Sequence, residues 1–311
     1  MELLVIAVIA FVIAIVVRRK EALLLRWQPT RHTWAAVGAG LVAFALSASL
    51  LLFDPESAVA HVIHYGLIYV VCGVAVPWGY TLLVERNAPA EMGLKRERWL
   101  ISLILSLIVA GLFSPVIIFE ADLSAIDWGQ FARAAFVLTG AGGLFELFLY
   151  YGFIHLRLEK AFGTIPAILV TSAIYVLWHV GTQLPLEADP VAAVWKLFLV
   201  GVISQSMFSL TRNLLIIWPI WHVMGVMIDF TVNIDKIDLV STRLPWAAGA
   251  VTLMAITGAA LTWVARLRFL QQFEMGHGDY TAERHHWLGE RTVQELAQEI
   301  EHRREEAKDC D

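Results

Sequence analysis

The chain has 311 residues, 58% of them hydrophobic and only 16% charged, with a formal net charge of −5. Soluble domains run near half apolar and a quarter charged, so this composition, with a mean hydropathy of +0.66, excludes an ordinary water-soluble fold. Two cysteines, Cys72 and Cys310, exclude a disulfide framework.

A helix needs roughly 20 mostly apolar residues to cross about 30 Å of hydrocarbon. Such windows recur at 3–17, 34–53, 58–84, 100–119, 134–156, 165–184, 191–210, 214–232 and 246–270. The expected fold class is all-α, a polytopic transmembrane bundle of eight to nine spans. The first window is followed by Arg18, Arg19 and Lys20, not preceded by charges, and reads as a retained helix instead of a secretory signal. From 271 the chain turns polar, and 292–308 has the charged pattern of a solvated helix. The expected organisation is N-terminal spans over 1–90, a core over 91–233, a last span over 234–270 and a tail over 271–311.

Loop charges orient the bundle, because Lys and Arg collect in cytoplasmic loops. Arg18, Arg19, Lys20, Arg26 and Arg31 follow span one, and Arg86, Lys95, Arg96 and Arg98 follow span three. Arg157 and Lys160 follow span five, Arg212 follows span seven, and Arg266 and Arg268 close span nine. The intervening loops carry Asp54 and Glu56, then Glu120, Asp122 and Asp127 with Arg133 at the edge of span five, then Glu187 and Asp189. The loop after span eight is mixed, with Asp235, Lys236, Asp238 and Arg243. This alternation predicts a cell-membrane protein with its N-terminus outside and its C-terminus in the cytoplasm. Neither a dinucleotide fingerprint, a P-loop nor a nucleic-acid patch is present. The expected partners are the lipid bilayer and a peptide or membrane-protein substrate.

Ionisable side chains at bilayer depth cost about 3 kcal/mol each on insertion scales and mark functional candidates. Glu146, His179 and His222 fall in spans five, six and eight. Glu146 and His222 are expected roughly 15 Å from the inner boundary and His179 roughly 20 Å, close enough in depth to converge. A carboxylate with two imidazoles can take a proton from water, stabilise an oxyanion or bind a divalent metal such as zinc. The alternative for any one of them is a polar contact between helices. Asp229, His61, His64 and His155 lie near span ends and read as structural. Trp178 and Trp221 each precede a candidate histidine and are expected, with Tyr175, to wall the cavity and contact substrate.

The neighbourhoods of these residues resemble the CPBP family of intramembrane proteases, which includes CAAX-prenyl endopeptidases and bacteriocin-processing (ABI-type) enzymes. Glu146-Leu147-Phe148-Leu149-Tyr150-Tyr151-Gly152 matches the first Glu and the Gly of the family's Glu-Glu-x3-Arg-Gly motif. Tyr175-Val176-Leu177-Trp178-His179 matches its aromatic-x3-His motif. Thr211-Arg212-Asn213, then Trp218-Pro219-Ile220-Trp221-His222, is similar to the approach to its His-x3-Asn motif, and Glu91-Met92-Gly93-Leu94-Lys95 is similar to an upstream segment. The stretch runs from Glu91 to Asn233.

The resemblance implies an intramembrane endopeptidase in which Glu146 activates water and His179 and His222 serve as oxyanion or metal groups. The pattern departs at Leu147, Tyr151 and Val226, which stand in place of the second Glu, the Arg and the Asn. Gln205, Ser206, Asp229 and Asn233 are the nearby polar groups, although Asp229 falls about 10 Å along the helix from His222. Two other function classes remain: a catalytically silent membrane binding or regulatory protein of the same fold, and a proton-coupled transporter. The transporter lacks the inverted repeat and paired broken helices it would need.

Overall fold

The computed structural model describes residues 2–19, 21–87, 89–94, 99–120, 124, 126–186, 189–214, 218, 222–232 and 234–274. Among them every long element is a helix and no strand occurs. We number them α1 (Glu2–Arg18), α2 (Arg31–Ser49), α3 (Ala58–Val84), α4 (Trp99–Glu120), α5 (Trp128–Phe162), α6 (Thr164–Trp178), α7 (Pro190–Thr211), α8 (Val223–Val232), α9 (Asp235–Ser241) and α10 (Leu244–Glu274). Six helices among the described residues are long and apolar enough to cross a membrane: α2, α3, α5, α6, α7 and α10. Helix α1 is apolar but shorter, 17 residues, and α4 contributes the apolar stretch Trp99–Ser114. The fold is an all-α polytopic bundle, as expected. The windows at 3–17, 100–119 and 214–232 have helical counterparts in α1, α4 and the shorter α8.

Helix α5 is the axis of the bundle. Its apolar window is 78% buried, against 17% for α10 on the outside. Asp127 caps its start, the side-chain carboxylate accepting from the Gly129 and Gln130 amides, which satisfies donors a helix end would otherwise leave bare. With that cap α5 runs well past the expected window 134–156 on both sides. Backbone bonding within it shifts to the wider π type over Val137–Gly142 and Leu147–His155, on either side of Glu146, and such segments gather at functional sites. Helix α6 packs along α7, α1 along α7, and α10 along α3. One apolar cluster joins α1, α2, α3, α4, α5, α6, α7 and α10, and a smaller one joins the start of α5 to α8 and α9.

Several polar contacts lock helix to helix. Arg157 of α5 donates to Glu85 beyond α3, Nε to Oε1 at 3.0 Å and Nη2 to Oε2. Its Nη2 also donates to Thr81 Oγ1 at 2.9 Å. Both charges are largely buried, and a fork-shaped guanidinium satisfies a carboxylate through two parallel bonds. In α7, Asp189 caps the start ahead of Pro190, and Arg212 ends the helix in the left-handed conformation, φ 57°.

Candidate active site

Glu146 sits near the middle of α5 and is 8% exposed. His179 is the residue on which α6 ends, beginning the tight turn His179–Gly181. His222 directly precedes α8. The fold brings all three together. His222 Nε2 donates to Glu146 Oε2 at 3.2 Å, and His179 Nε2 lies 3.7 Å from Glu146 Oε1. Each imidazole thus addresses its own oxygen of one carboxylate.

The ring of His179 is oriented from behind. Its Nδ1 lies 2.9 Å from the Tyr175 carbonyl one turn earlier, a contact that requires the proton on Nδ1. Nε2 is therefore the nitrogen turned to Glu146. The turn carrying His179 is itself pinned by α2: the Ser47 hydroxyl donates to the Trp178 carbonyl and accepts from the Gly181 amide at 3.1 Å. On the other side, His222 Nδ1 is buried and has no partner among the described residues. The chain before His222 is held by Trp218, whose Nε1 donates to the Thr139 carbonyl at 2.7 Å. Gly143, one turn before Glu146, makes room for both: a Cβ there would stand 2.8 Å from Trp218 Nε1 and 3.2 Å from His222 Cδ2.

Aromatic rings form the walls. Trp178 packs against His179, Phe145 and Tyr69, with ring centroids 4.4, 4.9 and 6.2 Å away. Tyr175 stacks edge-on to Tyr150 at 5.6 Å, and its hydroxyl lies beside Glu146. Tyr151, in place of the expected Arg, has its ring 6.3 Å from that of His222. Tyr175 and Trp178 are both buried. Trp221 lies outside the described residues, as do Asn233, the tail from 275 onward, and with it His285 and His286.

The site differs from the sequence expectation in depth. Glu146 lies roughly 20–24 Å along α5 from the Phe162 end, and His179 about 22 Å along α6 from Thr164. The expected 15 Å for Glu146 took span five to end at 156, whereas α5 continues to Phe162. His179 stands at the end of α6, which stops short of the window's expected end at 184, and hydrogen bonds to Ser47 take over there.

Other candidates separate cleanly. Asp229 lies 3.8 Å from both Lys196 Nζ and Lys236 Nζ. His61 stacks on Trp246 at 4.9 Å, and His155 meets the Ser209 hydroxyl at 2.9 Å. His64 reaches the Tyr69 hydroxyl at 2.9 Å, and through that ring touches the wall of the site, a link its place at the start of span three did not suggest. Val226 packs with Phe131 and Phe230 in the smaller cluster. Gln205 and Ser206 are fully buried, and their side-chain polar atoms lack partners among the described residues. Sequence reasoning passed over Ser47 and Gly143. The run Gly140-Ala141-Gly142-Gly143 just before Glu146 was the available signal for a close approach.

Among the described residues no three His, Cys, Asp or Glu side chains have the spacing to hold a metal ion. The two imidazoles face different carboxylate oxygens instead of sharing a point with them, so the donor set does not fit a metal as it stands.

The motif pattern now has its geometry, and one comparison with known proteins bears on it. Residues 127–228 match the family model described as type II CAAX prenyl endopeptidase Rce1-like. This segment is similar to an Rce1-like domain. It spans α5 through most of α8 and contains Glu146, His179 and His222. The match agrees with the resemblance to CPBP intramembrane proteases that the motifs carry. No curated protein and no solved structure matches the chain.

Proposed function

We propose that the chain hydrolyses peptide bonds of membrane-associated proteins or peptides, with Glu146 as general base and His179 and His222 as the groups that meet the developing oxyanion. One observation carries this reading: a single buried carboxylate is addressed on both oxygens by imidazoles from two other segments, at 3.2 and 3.7 Å. Glu146 takes a proton from water as the hydroxide forms a bond to the scissile carbonyl carbon. The carbonyl oxygen becomes an oxyanion and accepts from an imidazole Nε2–H. The C–N bond then breaks, and the proton held by Glu146 passes to the leaving nitrogen. Aromatic walls keep bulk water away, which strengthens each of these charge contacts.

His222 has the better-defined donor role, because its Nε2–H already points at the reacting carboxylate. His179, with its Nδ1–H spent on Tyr175, turns Nε2 to the site and donates from it only while that nitrogen also holds a proton. The orientation that fits the loop charges puts the N-terminus outside and the basic helix ends in the cytoplasm.

The test is cleavage of membrane-bound peptides by purified protein in proteoliposomes. Glu146→Gln is expected to slow cleavage by about 10²–10⁴, the range of a lost general base, and His222→Ala by about 10²–10³. Chelators leave the rate unchanged in this reading. Unchanged cleavage by Glu146→Gln overturns it.

A second reading, a catalytically silent binding protein, draws on Val226, which sits in an apolar cluster where the family carries Asn. Peptide binding without cleavage, equal in parent and Glu146→Gln protein, would favour it.

A further inference from the structure

At the end of the bundle away from His179, a cleft of about 490 Å³ opens between α1, α5, α6 and α7. Arg19 and Arg26 enter it from α1 and the following loop, Lys160 from the end of α5, and Arg212 from the end of α7. Two acids share it, and both are engaged. Glu159 accepts from Arg19 Nη1 at 2.8 Å on Oε1 and from Arg212 Nη2 on Oε2, and it also takes the Thr164 hydroxyl at 2.8 Å. Glu21 pairs with Arg26. The cleft keeps a positive excess, and a guanidinium has five N–H donors, of which one carboxylate contact uses one or two.

Helix ends explain some of this charge but not its convergence. The carbonyl ends of α5 and α7 each attract a cation, yet here four basic side chains meet around one space. Arg212 does so from a left-handed backbone, φ 57°, a conformation that costs energy in a residue with a side chain. Helix α6 starts on the cleft with Gly163 as its N-cap, which has no side chain to take up its first amides.

The rim is apolar. Leu23, Leu24, Leu25 and Trp27 surround Arg26 in sequence and are exposed, Leu25 by 81% and Trp27 by 77%. The loop that bears them is held in place. The Arg26 amide donates to the Phe162 carbonyl at 3.2 Å and the Gln28 amide to the Ala161 carbonyl at 2.9 Å. Gly163, at φ 97°, lets the Leu24 carbonyl approach to 2.5 Å of where a Cβ would stand. A chain ordered to present three leucines and an indole next to a basic cleft suits a ligand with an anionic head and a hydrocarbon tail. Basic pockets between transmembrane helices at the cytoplasmic face take lipid headgroups in this way, and exposed indoles belong at the same depth.

We infer that this cleft binds the phosphate of an anionic phospholipid, with the acyl chains lying along Leu23, Leu24 and Leu25. The site is separate from Glu146 and does not depend on the protease reading.

The test follows thermal unfolding of the full chain in detergent during titration with dihexanoyl phosphatidylglycerol, dihexanoyl phosphatidylcholine or inorganic phosphate. Phosphatidylglycerol is expected to raise Tm saturably, and the other two to leave it unmoved at the same concentrations. The double variant Arg26→Gln with Lys160→Gln, two side chains at the open edge, is expected to keep the lipid-free Tm and shift the titration midpoint by on the order of tenfold. Equal stabilisation by phosphatidylcholine, or an unshifted midpoint in the double variant, overturns the proposal. Inorganic phosphate matching the lipid overturns the lipid assignment in favour of a soluble phosphate.

Discussion

Glu146 is buried in a helix whose inward residues include Phe145, Leu149 and Tyr150, and a carboxylate there is tolerated because two imidazoles approach it. The residue four positions after His222 has a different environment. Val226 is packed with Phe131 and Phe230 and helps fasten α8 to the start of α5. An asparagine at that point would bury an amide among hydrocarbon, which costs about 1–3 kcal/mol when no partner is found. Val226→Asn is therefore expected to lower Tm without raising cleavage. A gain in cleavage would show that the position faces the carboxylate after all.

Two joints between elements deserve their own tests. Ser47 of α2 holds the end of α6 through both its hydroxyl lone pair and its proton, and His179 rides on that end. Ser47→Ala strips the Trp178 carbonyl and the Gly181 amide of a partner, so a loss of about 1–3 kcal/mol in stability is expected. Cleavage should fall more than substrate affinity does, because the lost contact positions a group used in the transition state. Thermal unfolding and the kcat/KM split read the two effects separately. The second joint is the buried Arg157–Glu85 pair between α5 and the end of α3. Glu85→Gln leaves the guanidinium uncompensated and is expected to cost about 3–5 kcal/mol, whereas Glu85→Leu combined with Arg157→Met should recover most of it. Denaturation of the single and double variants checks this. If the double variant is as unstable as the single, the pair is not the source of the loss.

Across the whole molecule, charge is distributed by end. Arg19, Arg157, Lys160 and Arg212 meet at the end where α1, α5 and α7 finish and α6 starts. In the orientation proposed from the loop charges, that end faces the cytoplasm. A reporter fluorescent only in the cytoplasm, fused to the C-terminus, is expected to light up, and the same reporter at the N-terminus to stay dark. The reverse result would invert the orientation. Glu146 lies near the middle of α5, whereas His179 is at the end of α6 away from these cations.

Much of this was legible in one dimension. Apolar run length predicts membrane helices because hydrocarbon leaves backbone groups no partner but each other, and windows at 58–84 and 191–210 coincide with α3 and α7 almost to the residue. Glu146, His179 and His222 stood out for the same reason, as charges where insertion is costly, and the motif spacing tied them to one family. The tertiary structure alone decided that the two histidines take opposite oxygens of one carboxylate, that Ser47 and Gly143 set those positions, and that α5 runs on past 156. It also brought Arg19, Arg26, Lys160 and Arg212, scattered over nearly two hundred positions, around a single cleft. Hydropathy reports each residue's solvent and is blind to partners. Convergence depends on which helices pack, and that is settled by contacts between segments far apart in the chain.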